Sequence, residues 1–228
     1  HAWQLPGLLA ATTLVAVNDP DGDFGLVWHR RVGTMTVTLR TAATSTWLVD
    51  RAQAAAWVAN WGGWLAGLGY LPMVRWVTIT VDTAPASGSQ LTDYVTGRLV
   101  PNAPTSARRV LRQLVDVAPV AAADVETRVS ITFDPAAAPT RPRGPAESIA
   151  EITRVLPGLQ DSLGGCGLTV LGRASAAQLA AMVRTAFDPA ARTDIARLLA
   201  TGSPQQADAL LDWGTAGPVA AEERYDHY

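Results

Sequence analysis

The feature that most constrains this chain is a change of hydrophobic period inside one apolar stretch, from a helical repeat over 57–68 to a strand repeat over 73–82. Trp57, Trp61, Trp64, Leu65 and Leu68 stand at i, i+4, i+7, i+8 and i+11, the spacing of an apolar stripe on one side of a helix. Gly69 occupies the position of a helix-ending glycine and Pro72 forbids continuation. From Met73 the period becomes two, with Val77, Ile79 and Val81 on one face and Trp76, Thr78 and Thr80 on the other. A helix that feeds directly into a half-apolar strand needs a sheet to cover its stripe, so the chain is expected to layer helices on a sheet.

The same stretch invites a membrane reading, since Ala54–Leu71 carries Asn60 as its one clearly polar residue and contains Gly63-x-x-x-Gly67. A spanning helix needs about 20 apolar residues. Asp50 and Arg51 at one end and Gly69 with Pro72 at the other leave too little length. The expectation is a helix buried on one wide face, its small residues allowing close approach to the sheet.

On either side the pattern repeats in simpler form. Thr12–Val17, Phe24–Arg31 and Thr34–Arg40 read as three strands of a meander, joined by the turn Asn18–Asp23 and by Val32-Gly33. A modest helix is expected over 90–99, bearing Leu91, Tyr94 and Val95. Thr105 opens another, with Val110, Leu111 and Leu114 inward and Arg108, Arg109 and Arg112 outward. A strand over 126–134 alternates Thr127, Val129, Ile131 and Phe133 with polar residues. The Pro- and Ala-rich run 136–145 reads as a mobile crossing. Ile149, Ile152, Leu156, Leu159 and Leu163 mark a helix over 146–163, bent at Pro157, followed by a strand over 167–172. Ser175 and Gln178 form a capping box for a helix carrying Leu179, Met182 and Val183. Short helical pieces then run from Asp188-Pro189 past Ser203-Pro204 to Trp213. The succession predicts an α+β fold: a ferredoxin-like split βαβ antiparallel sheet with helices on one face, extended by the N-terminal β-meander. It divides into an α+β domain over 1–187 and a C-terminal helical extension over 188–228 packed on it. A Rossmann arrangement lacks its Gly-rich phosphate turn.

Composition limits the chemistry. None of the 18 basic residues is Lys, so a Schiff-base lysine and a P-loop lysine are both excluded within these residues. The net charge of −2 supplies no overall positive field, and nucleic acid is not the expected partner. One cysteine, Cys166, excludes an internal disulfide and a cysteine metal cluster; between two glycines it reads as a small hydrophobe. The acidic turn Asn18–Asp23 suggests calcium, but the twelfth position, where a Glu ligand is needed, is Arg30. His29 has no local nucleophile or carboxylate. Asp82 and Asp134 close two adjacent predicted strands; they read as turn caps or, as an alternative, as the paired acids of a hydrolase. No catalytic residue, metal or cofactor is expected. Two places remain as interaction candidates: the Arg108, Arg109, Arg112 trio, for phosphate or an acidic partner, and Trp76, on the strand face away from Val77 and Ile79.

The segments FGLVW (24–28), STWLVDRA (45–52), AWVANWGGWLAGLGYLPMVRWV (56–77), DTAPASGS (82–89), DVETRVSITFDP (124–135), LPGL (156–159) and VRTAFDPAAR (183–192) together resemble an actinobacterial family of conjugation- and secretion-associated membrane proteins. The resemblance implies a PrgI-like pair of membrane helices outside these residues. It also implies a cytosolic portion distantly similar to the N-terminal domain of type IV secretion ATPases and to the EccE component of type VII secretion. A non-enzymatic scaffold at the cytoplasmic face of the cell membrane follows, with protein components of the machine as partners. The alternative is a module that contacts DNA or an ATPase through the arginine trio. The resemblance transfers no active-site residue.

Overall fold

The structure is a computed structural model that describes residues 2–45, 49–85, 95, 97, 98, 104–121, 123–200, 208 and 210. Its strands are β1 (Ala2–Gln4), β2 (Thr12–Asp19), β3 (Gly22–His29), β4 (Thr34–Ala43), β5 (Val74–Pro85), β6 (Ala123–Phe133) and β7 (Leu168–Arg173). The helices are α1 (Arg51–Leu68), α2 (Thr105–Ala121), α3 (Pro145–Leu163), α4 (Ala176–Phe187) and α5 (Arg192–Ala200). The fold is α+β, one antiparallel sheet in the order β1-β2-β3-β4-β6-β5, with β7 also paired to β4. Since β6 runs along one side of β4, its other side is shared: β3 pairs with Thr34–Val37 and β7 with Leu39–Ala43.

Two cores lie on opposite faces of this sheet. The register sets Val15, Leu26, Val37, Ile131 and Val77 in one row across five strands, and α3 covers that row with Ile152, Leu156, Leu159 and Leu163. Burying a side chain such as Ile131 or Phe133 completely contributes about 1.5–3 kcal/mol. On the other face Leu14 and Val27 meet α4 and α5 through Ala176, Leu179 and Ile195. The expectation of helices on one face is thus corrected: the capping box at Ser175 turns the chain onto the second face. That second core joins α4 to α5 across the boundary expected near residue 187.

The tryptophan helix begins with Asp50 accepting from the Gln53 N–H at 2.7 Å, but its stripe is narrower than predicted. At 100° per residue, position 65 lies about 80° from Trp57 whereas positions 61, 64 and 68 lie within about 40°, and Leu65 is exposed while Trp64 is buried. The stripe meets α3 and the turn at 164–166: Trp64 Nε1 donates to the Leu159 carbonyl at 3.3 Å. A Cβ at Gly167 would lie 2.7 Å from Trp57 Cδ2. Gly63 and Gly67 do not mediate close approach, because a Cβ on either meets nothing within 4 Å. Among the described residues no helix is long and apolar enough to cross a membrane.

Other differences are local. α3 runs through Pro157 as one helix. The crossing after β6 is anchored at its start by buried Pro135 and Ala138. In α2 the inward reading fails: Val110 is 54% exposed and Leu111 is exposed too. Pro85 pairs with Ala123, so the connection carrying α2 leaves from the far end of the β5–β6 ribbon; on α2 Val115 is buried instead. Trp47, Leu91, Tyr94 and the expected helical pieces beyond residue 200 fall outside the described residues, apart from Asp208 and Leu210; so do most positions of the helix expected over 90–99.

Candidate functional site

Trp76 sits on the outer face of β4, β6 and β5, the face turned away from the core that α3 covers. A β-bulge between Val74 and Trp76 puts Arg75 outside the regular register. Val74 is thereby kept opposite Phe133 on the core side, while Trp76 turns to the outer face opposite Thr132. Trp76 is 55% exposed, with the Arg75 guanidinium 5.2 Å from its ring centroid. Arg75 in turn pairs with Asp134 at 3.4 Å. Beside the indole lies a floor of hydroxyls, Thr36 to Thr132 and Thr38 to Ser130, each pair at 2.9 Å. Toward the other end, charges alternate across the strands: Arg40–Glu126 at 3.9 Å, Arg128–Asp82 at 3.9 Å and Arg192–Asp82 at 3.4 Å. The face thus combines an exposed aromatic ring, paired hydroxyls and paired ionic groups.

The candidate acids do not meet. Antiparallel pairing puts Asp82 opposite Glu126, whereas Asp134 follows Phe133, which is opposite Val74. About eight residues of strand, roughly 26 Å, separate the two positions, and the dyad is dismissed. In the acidic turn, the strands continue through Asn18 and Asp23, which pair in register. Asp19 and Asp21 are both ion-paired to Arg173, the latter at 2.8 Å. Two of the three carboxylates that suggested calcium are thus engaged by a guanidinium, and the third, Asp23, accepts from the Asn18 amide. His29 accepts the Val32 N–H on Nδ1 at 3.2 Å in the β3–β4 turn, a structural use. Burial pushes the Cys166 thiol up from its ordinary value of 9.0, away from thiolate reactivity. Of the arginine trio, Arg109 and Arg112 are exposed and Arg108 is half-buried.

Sequence reasoning missed a concavity, a groove of about 800 Å³ between α1 and α3. Asn60, Trp64, Leu68, Arg154, Val155 and Ser162 are among its lining residues. The signal was present in Gly63, Gly67 and Gly158, whose missing side chains open the groove. Arg154 on its wall bonds the Glu151 carboxylate at 2.6 Å. That hydrogen bond holds the Glu151 carboxyl below its usual 4.5. A carboxyl held low in the folded state contributes stability that is present above its unfolded pKa and lost as pH falls through the lower folded one. Glu151→Gln is accordingly expected to flatten the acid limb of the stability curve below about pH 4.5, read by denaturant titrations over roughly pH 3 to 6.

Comparison with protein-family models, with curated proteins and with solved structures found no match.

Proposed function

We propose that this chain is a non-enzymatic docking domain of a membrane-bound conjugation or secretion apparatus of the type IV or type VII kind, acting at the cytoplasmic face of the cell membrane. The observation that carries the docking role is the exposed Trp76 on the outer face of the edge strand β5. A large aromatic group beside Arg75 is the kind of residue that anchors protein interfaces, and the hydroxyl floor around it offers a polar rim. The machine itself is suggested by the sequence segments that resemble the conjugation- and secretion-associated family.

The finer fold reading belongs with this proposal. The order β7-β4-β6-β5, with α1 joining β4 to β5 and α3 joining β6 to β7, supports a ferredoxin-like split βαβ unit. The consecutive pairing of β2, β3 and β4 supports the added meander. Both agree with the resemblance to the cytosolic part of such machines.

Affinity capture of the full-length protein from membranes of its native host tests the proposal. A secretion ATPase or coupling protein is expected to co-purify and to be lost with Trp76→Ala. ATP hydrolysis by the purified full-length protein that disappears on mutating a residue of this chain would contradict it. A second reading rests on α2, where exposed Arg109 and Arg112 share a helix with exposed Val110 and Leu111: an amphipathic helix that seats on an ATPase or along DNA. Salt-dependent retention on DNA that weakens with Arg109→Ala and Arg112→Ala favours it; no retention at low salt removes its DNA form.

A further inference from the structure

We infer that β5 is a self-pairing edge, through which two copies of this chain join their sheets antiparallel about a two-fold axis at Ile79. This goes beyond the docking proposal and does not depend on it. Among the described residues β5 has β6 on one side and no strand on the other. It is a 12-residue strand, long for an edge, and edges of this kind are normally short, bulged or charged along their length. Here the bulge lies at the beginning, between Val74 and Trp76, and Pro85 stands at the end. Between them Val77–Val81 carries no charge. On the core side Ile79 is 47% and Val81 60% exposed, and neither belongs to the buried cluster that α3 covers.

The occupant is indicated by the sequence of the edge itself. Val77-Thr78-Ile79-Thr80-Val81 reads the same in both directions. A two-fold axis perpendicular to a sheet keeps each side chain on its own face and pairs residues symmetrically about the axis. Centred on Ile79, it sets Val77 against the second copy's Val81, Ile79 against Ile79 and Thr78 against Thr80. Within Val77–Val81 the core side then receives β-branched apolar pairs and the outer side threonine pairs, both favourable across strands. A shift by one residue would oppose unlike faces and is excluded by the side-chain alternation.

The inner edge of β5 already shows that such a partner fits. There Val77 pairs with Ile131, Thr78 with Ser130 and Ile79 with Val129, the same alternation of apolar and hydroxyl residues. The hydroxyl pair Thr38–Ser130 would continue through Thr78, which stands opposite Ser130, to the second copy's Thr80. Joining the edges makes one sheet of two copies, covers Ile79 and Val81, and leaves Trp76 on the open face of each.

Sedimentation velocity of the 228-residue chain at increasing concentration tests the inference, with the expected result a reversible monomer–dimer equilibrium. Ile79→Lys places two like charges at the axis and is expected to abolish the dimer, its circular dichroism and melting temperature remaining those of a folded chain. In a Cys166→Ser background, Ile79→Cys is expected to form an intermolecular disulfide under mild oxidation, since residues facing each other across an antiparallel pair stand about 4.5–5.5 Å apart at Cα. Thr80→Cys is expected not to, its own copies being offset diagonally. A wild-type chain that stays monomeric, including one that accepts only a strand from a different protein, overturns the inference. So does an Ile79→Lys chain that remains dimeric, or cross-linking that favours position 80 over 79.

Discussion

Replacing Arg173 by Ala is expected to destabilise the fold by about 3–5 kcal/mol, the cost of leaving a buried partner charge uncompensated. Arg173 ends β7, and its guanidinium reaches the β2–β3 turn, pairing with Asp19 and Asp21. The side chains of Arg173 and Asp19 are 6% and 5% exposed, and the guanidinium lies 5.0 Å from the Phe24 ring centroid. It thereby ties together the two strands that share one side of β4 (β3 and β7), which the backbone register alone leaves end to end. For a chain of this size the loss corresponds to a fall of roughly 6–20 °C in Tm, at about 2–4 °C per kcal/mol. Differential scanning calorimetry of Arg173→Ala checks it, and a change under 1 kcal/mol would show the pair to be dispensable. Replacing Arg173 and Asp19 together by apolar residues is expected to cost less than Arg173→Ala alone, because no charge is then stranded.

Gly25→Val is expected to be comparably severe, about 3 kcal/mol or more, by overpacking against an immovable neighbour. Gly25 lies in β3 where α4 crosses the sheet. A Cβ there would stand 2.6 Å from Leu179 Cδ1 and 2.9 Å from Ala176 Cα and N. The leucine tip can move, but the Ala176 backbone is held by the capping box at Ser175 and by the Gly25 N–H donating to the Ala174 carbonyl at 2.8 Å. The expected result is separation of α4 and α5 from the sheet, seen as early loss of protection in amide exchange along α4. Normal protection with an unchanged melting temperature would refute the close approach.

What the sequence revealed follows from which interactions are local. The elements from α1 to β7 were legible because their period, caps and breakers lie within a few residues: Asp50 before α1, Gly69 and Pro72 after it, Ser175 with Gln178 before α4. Non-local features were not. That α4 covers the second face depends on Gly25, some 150 residues earlier, and a lone strand glycine has many other uses. Asp82 and Asp134 looked alike because each follows the same alternation, yet only strand direction decides whether they meet. The amphipathic pattern of α2 promised a packed helix, and the pattern cannot say that its connection departs from the end of a ribbon. Of the candidate site, Trp76 was foreseen from its parity along β5. The bulge that turns it outward from Val74 was not, since it exists only relative to β6.

The most direct test of the docking role is a photo-crosslinking amino acid placed at position 76 of the full-length protein in its host, compared with the same group at Arg109. The account predicts an adduct from position 76 with a protein component of the membrane-bound apparatus, and none with that component from position 109. No adduct from position 76, or the same component captured from position 109 alone, would contradict it.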